Sequence, residues 1–120
     1  MGSDESCFQG PAGGHAGSLT DLARCVRRLR DMVLRCVERG LDGIGVGRLV
    51  ADANDRILCS AAAMAEAELG LPPCGYSLMV LGSEGRREQL LATDQDTALV
   101  FAGSEEPAVA YFKALGRLFL

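Results

Sequence analysis

Tyr76-Ser77-Leu78-Met79-Val80-Leu81-Gly82-Ser83-Glu84-Gly85-Arg86-Arg87-Glu88-Gln89 changes character halfway along its length. Its first six residues form an apolar run without helical polarity, bounded by Gly75 and Gly82, and this predicts a short buried strand. The charged stretch from Ser83 to Leu91 that follows is long enough for about two helical turns. Thr97-Ala98-Leu99-Val100-Phe101-Ala102 reads as a second buried strand, closed by Gly103-Ser104. Strand, Gly-Ser turn, short helix and second strand define an α/β (α+β) unit.

Towards the N-terminus the texture is helical. Ser18 is a plausible N-cap, with Asp21 in the first turn. Leu22, Val26, Leu29, Val33 and Cys36/Val37 recur at spacings of four and three, as on one stripe of a helix of about 20 residues. Arg24, Arg27, Arg28, Arg30, Arg35 and Arg39 lie mostly off that stripe and read as a solvated face. Gly40 stands where a helix-ending glycine belongs. A turn through Gly43, Gly45 and Gly47 leads to a second helix over 46–69, striped by Val46, Val50, Ala53, Ile57, Ala61 and Met64. Leu69-Gly70-Leu71-Pro72-Pro73 ends it. The two helices predict an antiparallel hairpin.

Beyond the second strand, Glu105 to Leu120 predicts a further helix with Val109, Phe112, Leu115, Leu118 and Phe119 on its apolar side. It stops at Leu120 without a cap, so the unit reads as truncated. Residues 1–17 are rich in Gly, Ser and Pro and predict a flexible tail. The single histidine, His15, lies there, where nothing holds the fixed geometry that catalysis needs. Three segments result: a tail over 1–17, a helical hairpin over 18–73 and an incomplete α/β core over 74–120.

Composition narrows the function classes. With 48% hydrophobic and 23% charged residues the 120-residue chain is globular, and with 5% aromatics its core must rest on aliphatic side chains and alanine. A net charge of −4 argues against non-specific binding to nucleic acid or anionic membrane. The five cysteines show no Cys-x-x-Cys spacing and read as reduced, mostly packed thiols. No basic leader opens the chain and no long apolar run could span a membrane, so a cytoplasmic protein is expected.

The chemistry gathers between residues 82 and 96. Asp94 and Asp96, spaced i, i+2 at the mouth of the second strand, would project to one face. Two ionised carboxylates so close repel unless a cation lies between them, and Mg2+ suits such a pair together with water and substrate phosphates. Gly82 lets backbone approach a phosphate closely, the Ser83 hydroxyl can donate to it, and Arg86 and Arg87 add positive charge. Gly82-Ser83-Glu84-Gly85 lacks the Gly-Lys-Ser/Thr ending of a Walker A loop. Asp94-Gln95-Asp96 lacks the later Gly and Glu of a calcium loop. Each fragment alone is a weak signal, and Arg86-Arg87-Glu88 alone would be a solvated stretch with local ion pairs.

Together, Leu81-Gly82-Ser83-Glu84-Gly85-Arg86-Arg87-Glu88-Gln89 and Thr93-Asp94-Gln95-Asp96 resemble the nucleotidyltransferase domain of bacterial signalling proteins. In that family the domain often follows cyclic-nucleotide-binding and CBS modules. It is similar to the N-terminal domain of protein-PII uridylyltransferases, within the DNA polymerase β-like nucleotidyltransferase superfamily. The match is dense from Pro72 to Phe101. The resemblance implies a hairpin packed on a small mixed sheet, and Mg2+-dependent transfer of a nucleoside monophosphate from an NTP to an acceptor, such as a PII-like protein in signal transduction. It gives Gly82, Ser83 and Arg86 to the nucleotide, Asp94 and Asp96 to catalytic metal, and a bracing role to Glu88 and Gln89. The superfamily's third carboxylate has no counterpart in a later strand; Glu105 and Glu106 lie in a loop entering the last helix. This fragment alone is therefore expected to be inactive. Two rival readings remain: a catalytically silent nucleotide-sensing module that keeps the pocket, and a structural helical adaptor without one.

Overall fold

The computed structural model describes residues 18–91 and 94–119. The predicted tail over 1–17, with Cys7 and His15, lies outside the described residues, as do Thr93, Leu120 and the side chain of Phe119. Helix α1 spans Leu19–Glu38. The Ser18 hydroxyl accepts from Asp21 N at 3.1 Å and satisfies a donor that the first helical turn leaves free. All six arginines of the predicted face are exposed. The buried seam is Cys25, Leu29 and Val33, whereas Val26 and Val37, expected on the stripe, are 53% and 49% exposed. Leu29 and Val33 belong to either of two neighbouring lines along the helix, and the partner helix covers the one through Cys25.

That partner, α2, spans Gly43–Leu69 and starts three residues before the expected boundary at 46. The glycines that read as a turn belong to its first two turns. Asp42 is the cap, accepting from Gly45 N at 2.7 Å. Gly47 has a reason of its own: a Cβ there would lie 2.6 Å from the carbonyl oxygen of Arg87.

Helix α2 is covered on more than one side, which is why one stripe does not describe it. Towards its start, Val50 and Ala53 pack with Leu29 and Val33 of α1, bordered by Met32, Val46 and Leu49. Towards its end, Ala65 packs with Ala108, Phe112 and Leu115 of α4, which spans Glu106–Phe119. Strand β1 is Tyr76–Val80 and strand β2 is Thr97–Phe101. They pair antiparallel, with Tyr76 opposite Phe101 and Val80 opposite Thr97. Tyr76, Leu99 and Phe101 face the α2–α4 cluster, where the Phe101 and Phe112 rings stack at 4.4 Å. Tyr76 donates to Glu66, and the Tyr111 hydroxyl donates to Gly70 O at 2.6 Å.

The strands are shorter than expected by one residue each, and instead of being buried they are half-buried, mainly on one face. Alternation puts Ser77, Met79, Ala98 and Val100 on the other face, with Met79 46% and Val100 53% exposed. Between the strands, the expected two-turn helix is a single turn, α3, spanning Gly82–Gly85. It ends because Arg87 turns to φ 60°, outside the helical region. Among the described residues, four helices and a two-stranded sheet make an α+β fold. Among the described residues no helix is long and apolar enough to cross a membrane.

Candidate functional site

The pairing of β1 with β2 continues one step past both strands: Leu81 N donates to Asp96 O at 2.8 Å. This sets Asp96 beside the turn into α3. Gly82 adopts φ +60°, a left-handed conformation that only glycine takes without cost, and a Cβ there would lie 3.0 Å from Asp96 Oδ2. The Asp96 carboxylate thus reaches over bare backbone. Asp94, two residues earlier, is exposed, as is Asp96. Neither carboxylate has a hydrogen-bond or ion-pair partner among the described residues. Ser83 is half-buried next to Gly82.

The rest of the motif winds against α2. Arg86 N donates to Gly82 O at 3.2 Å and Glu88 N to Ser83 O at 2.9 Å, closing the turn on the Gly-Ser pair. The Arg86 guanidinium meets Glu88 at 3.0 Å, both side chains about two-thirds exposed. An ion pair so open to water contributes little and exchanges readily with other partners. Arg87 points elsewhere: it pairs with Asp52 on α2, lies 3.8 Å from Asp55 and donates to Arg48 O at 3.4 Å. Its partners hold its guanidinium charged, so Arg87 anchors the motif to the hairpin. Gln89 is buried and accepts from Asn54 Nδ2 at 2.8 Å, a second tie to α2. The predicted site residues therefore separate into three sets: Gly82, Ser83, Asp94 and Asp96 at the strand ends, Arg86 with Glu88 on the rim, and Gln89 braced inside.

Two features escape a reading of the sequence. Glu84 is 2% exposed, and neither carboxylate oxygen has a hydrogen-bond partner among the described residues. Burial, and then the negative charge of Asp55, pushes its carboxyl up from the usual range. In a charged stretch, Glu84 resembles any solvated residue; only the single-turn geometry of α3 reveals that it points inward. The second feature is the set of α2 residues that receive the motif, Gly47, Arg48, Asp52, Asn54 and Asp55. The polar positions 52, 54 and 55 beside the apolar stripe were the available signal. Of the four described cysteines, Cys25 is buried, Cys36 and Cys74 are half-buried and Cys59 is exposed.

Among the described residues, no group of three or more His, Cys, Asp or Glu side chains forms a ready-made metal cage. At the strand ends stand two exposed carboxylates, Asp94 and Asp96, with Asp96 beside Gly82. The family model Putative nucleotidyltransferase DUF294 matches residues 27–120, and the chain belongs to that family. Nucleotidyl transfer, with an NTP as substrate, is the general activity that this membership assigns. No curated protein and no solved structure matches the chain significantly.

Proposed function

We propose that residues 82–96 form the Mg2+ and NTP site of a nucleotidyltransferase that passes a nucleoside monophosphate to an acceptor. The observation that carries this reading is the placement of the Asp96 carboxylate over the bare backbone of Gly82. It sets a hard oxygen donor for a divalent ion beside glycine backbone that a phosphate can approach closely. The donors fit Mg2+, which takes one or two carboxylates and fills its remaining positions with water and phosphate oxygens. Asp94 and Asp96 would hold the ion, which would supply positive charge at the phosphate as pyrophosphate departs.

The protein's own groups then have distinct tasks. Gly82 admits the phosphates, Ser83 donates to them and Arg86 offsets their charge. Gln89 and Asn54 keep the turn fixed on α2, and Glu88 tethers Arg86 while the site is empty. In the reaction an acceptor oxygen bonds to the α-phosphorus, the α–β phosphoanhydride bond breaks, pyrophosphate leaves, and the acceptor's proton passes to solvent. Resemblance to protein-PII uridylyltransferases makes UTP and a PII-like protein the first substrates to try, in a bacterial signalling protein with CBS or cyclic-nucleotide-binding modules. A second reading, a nucleotide-sensing module without turnover, draws on the presence of two rather than three carboxylates at the strand ends.

Calorimetric titration of NTPs with and without Mg2+ tests the site. The proposal expects binding that requires Mg2+ and disappears in Asp94→Asn/Asp96→Asn. Binding indifferent to Mg2+ and to the double substitution would overturn it. Labelled NTP with candidate acceptors then separates transfer from sensing.

A further inference from the structure

The motif's contact with α2 places a third arginine beside it that the motif does not contain. Gly47 meets the Arg87 carbonyl so closely that no side chain fits between them, and the Arg87 guanidinium donates to the carbonyl of Arg48. The next side chain along the helix, Arg48, therefore stands at the rim of the motif. Gly43, Ile44, Arg48, Arg86, Arg87 and Glu88 line one open cleft of about 420 Å3. Clefts of roughly 300–1,000 Å3 take small ligands.

The charges of this cleft are not used equally. Arg87 is occupied by Asp52 and Asp55. Arg86 is held by Glu88 in an exposed pair. The Arg48 guanidinium is exposed and has no ion-pair partner among the described residues. Among the described residues, the cleft therefore offers one arginine without an ion-pair partner, one releasable from Glu88, and one fixed. Two of its lining residues are tied to the Gly-Ser turn, because Arg86 N and Glu88 N donate to the carbonyls of Gly82 and Ser83. Guanidinium groups match phosphate oxygens two at a time, and two arginines from different elements can grip a chain of phosphates in a way one cannot.

We infer that Arg48, contributed by the helical hairpin, joins Arg86 in binding the β- and γ-phosphates of the nucleotide, with Glu88 displaced from Arg86 as the phosphates enter. The inference rests on the NTP reading of residues 82–96 and assigns part of the same site to the hairpin. It gives α2 a function beyond packing. It also predicts discrimination: an NTP or pyrophosphate reaches Arg48, and a nucleoside monophosphate does not.

The test is calorimetric, in Mg2+, with NTP, pyrophosphate and NMP on wild type, Arg48→Ala, Arg48→Lys and Glu88→Gln. Arg48→Ala is expected to weaken NTP and pyrophosphate about tenfold while leaving NMP unchanged, a loss typical of one charge-assisted phosphate contact. Arg48→Lys should recover part of the loss, because charge remains but the fork is gone. Glu88→Gln should tighten NTP, since its competing charge is removed. Pyrophosphate should compete with NTP. NTP affinity unchanged in Arg48→Ala, an equal loss for NMP, or simultaneous binding of pyrophosphate and NTP would each overturn the inference. Wild-type protein that binds no Mg2+–NTP at all would overturn the underlying reading as well, so the two failures are distinct. A circular dichroism melt of each variant confirms that the exposed substitution at 48 leaves the fold in place.

Discussion

A Cβ on residue 82 would lie 3.0 Å from Asp96 Oδ2, so the carboxylate of Asp96 and the backbone of Gly82 share one space. Gly82 also has φ +60°. Gly82→Ala therefore meets two penalties, a backbone conformation unsuited to a side chain and crowding of Asp96. It is expected to destabilise the protein by about 1 kcal/mol or more, read as a lower urea midpoint with an unchanged slope. Substitution to alanine should also abolish Mg2+–NTP binding, because Asp96 must move.

Gly47 makes the equivalent close approach on the other side of the motif, where a Cβ would lie 2.6 Å from a backbone carbonyl of Arg87. A backbone atom cannot rotate away as a side chain can. Gly47→Ala should cost about 1–3 kcal/mol, as overpacking does, although glycine-to-alanine changes inside a helix normally stabilise. Stabilisation on chemical denaturation would show that the motif is not docked on α2 in this way.

Leu115 has no exposed surface and sits where α4 meets α2 and the sheet. Leu115→Ala is expected to cost about 2–5 kcal/mol in denaturant unfolding. A cost below 1 kcal/mol, on the same scale, would mean that α4 does not close the core.

Glu84 gives a pH signature. Its folded-state carboxyl is raised above 4.5 by burial and then by Asp55, so the folded protein favours the protonated form. The stability from this group is fully present below its ordinary value near 4.5 and is lost as pH rises through the raised folded value. Glu84→Gln removes the ionisation. The variant should gain on wild type in urea midpoint as pH rises above 4.5, where the folded protein must give up its favoured protonated form. A difference independent of pH would place Glu84 in water.

The order of elements was legible in the sequence because each carries a local mark. Ser18 caps α1, Gly70-Leu71-Pro72-Pro73 stops α2, and Gly75 and Gly82 bound β1. What the sequence could not give is set by contacts between distant segments. Whether α1 faces its partner through Cys25 or Val26 depends on where α2 lies. The start of α2 at Gly43 depends on the Asp42 cap, and the glycine at 47 on the close approach of the distant Arg87 carbonyl. Of the site, Gly82 and Asp96 could be paired in advance from the strand–turn–strand pattern. Arg87 and Arg86 could not be told apart, because their opposite roles follow from the positive φ at Arg87, which turns its side chain onto Asp52. Glu84 and Arg48 carried no local mark at all.

If residues 82–96 form the site, metal and nucleotide meet at the strand ends. Mn2+ in place of Mg2+ broadens nearby amide signals, so an NMR titration of 15N-labelled protein with Mn2+ and NTP reads the location directly. Broadening centred on Gly82, Ser83, Asp94 and Asp96, dependent on nucleotide and lost in Asp94→Asn/Asp96→Asn, is the predicted result. Broadening centred elsewhere, or unaltered by the double substitution, would contradict it.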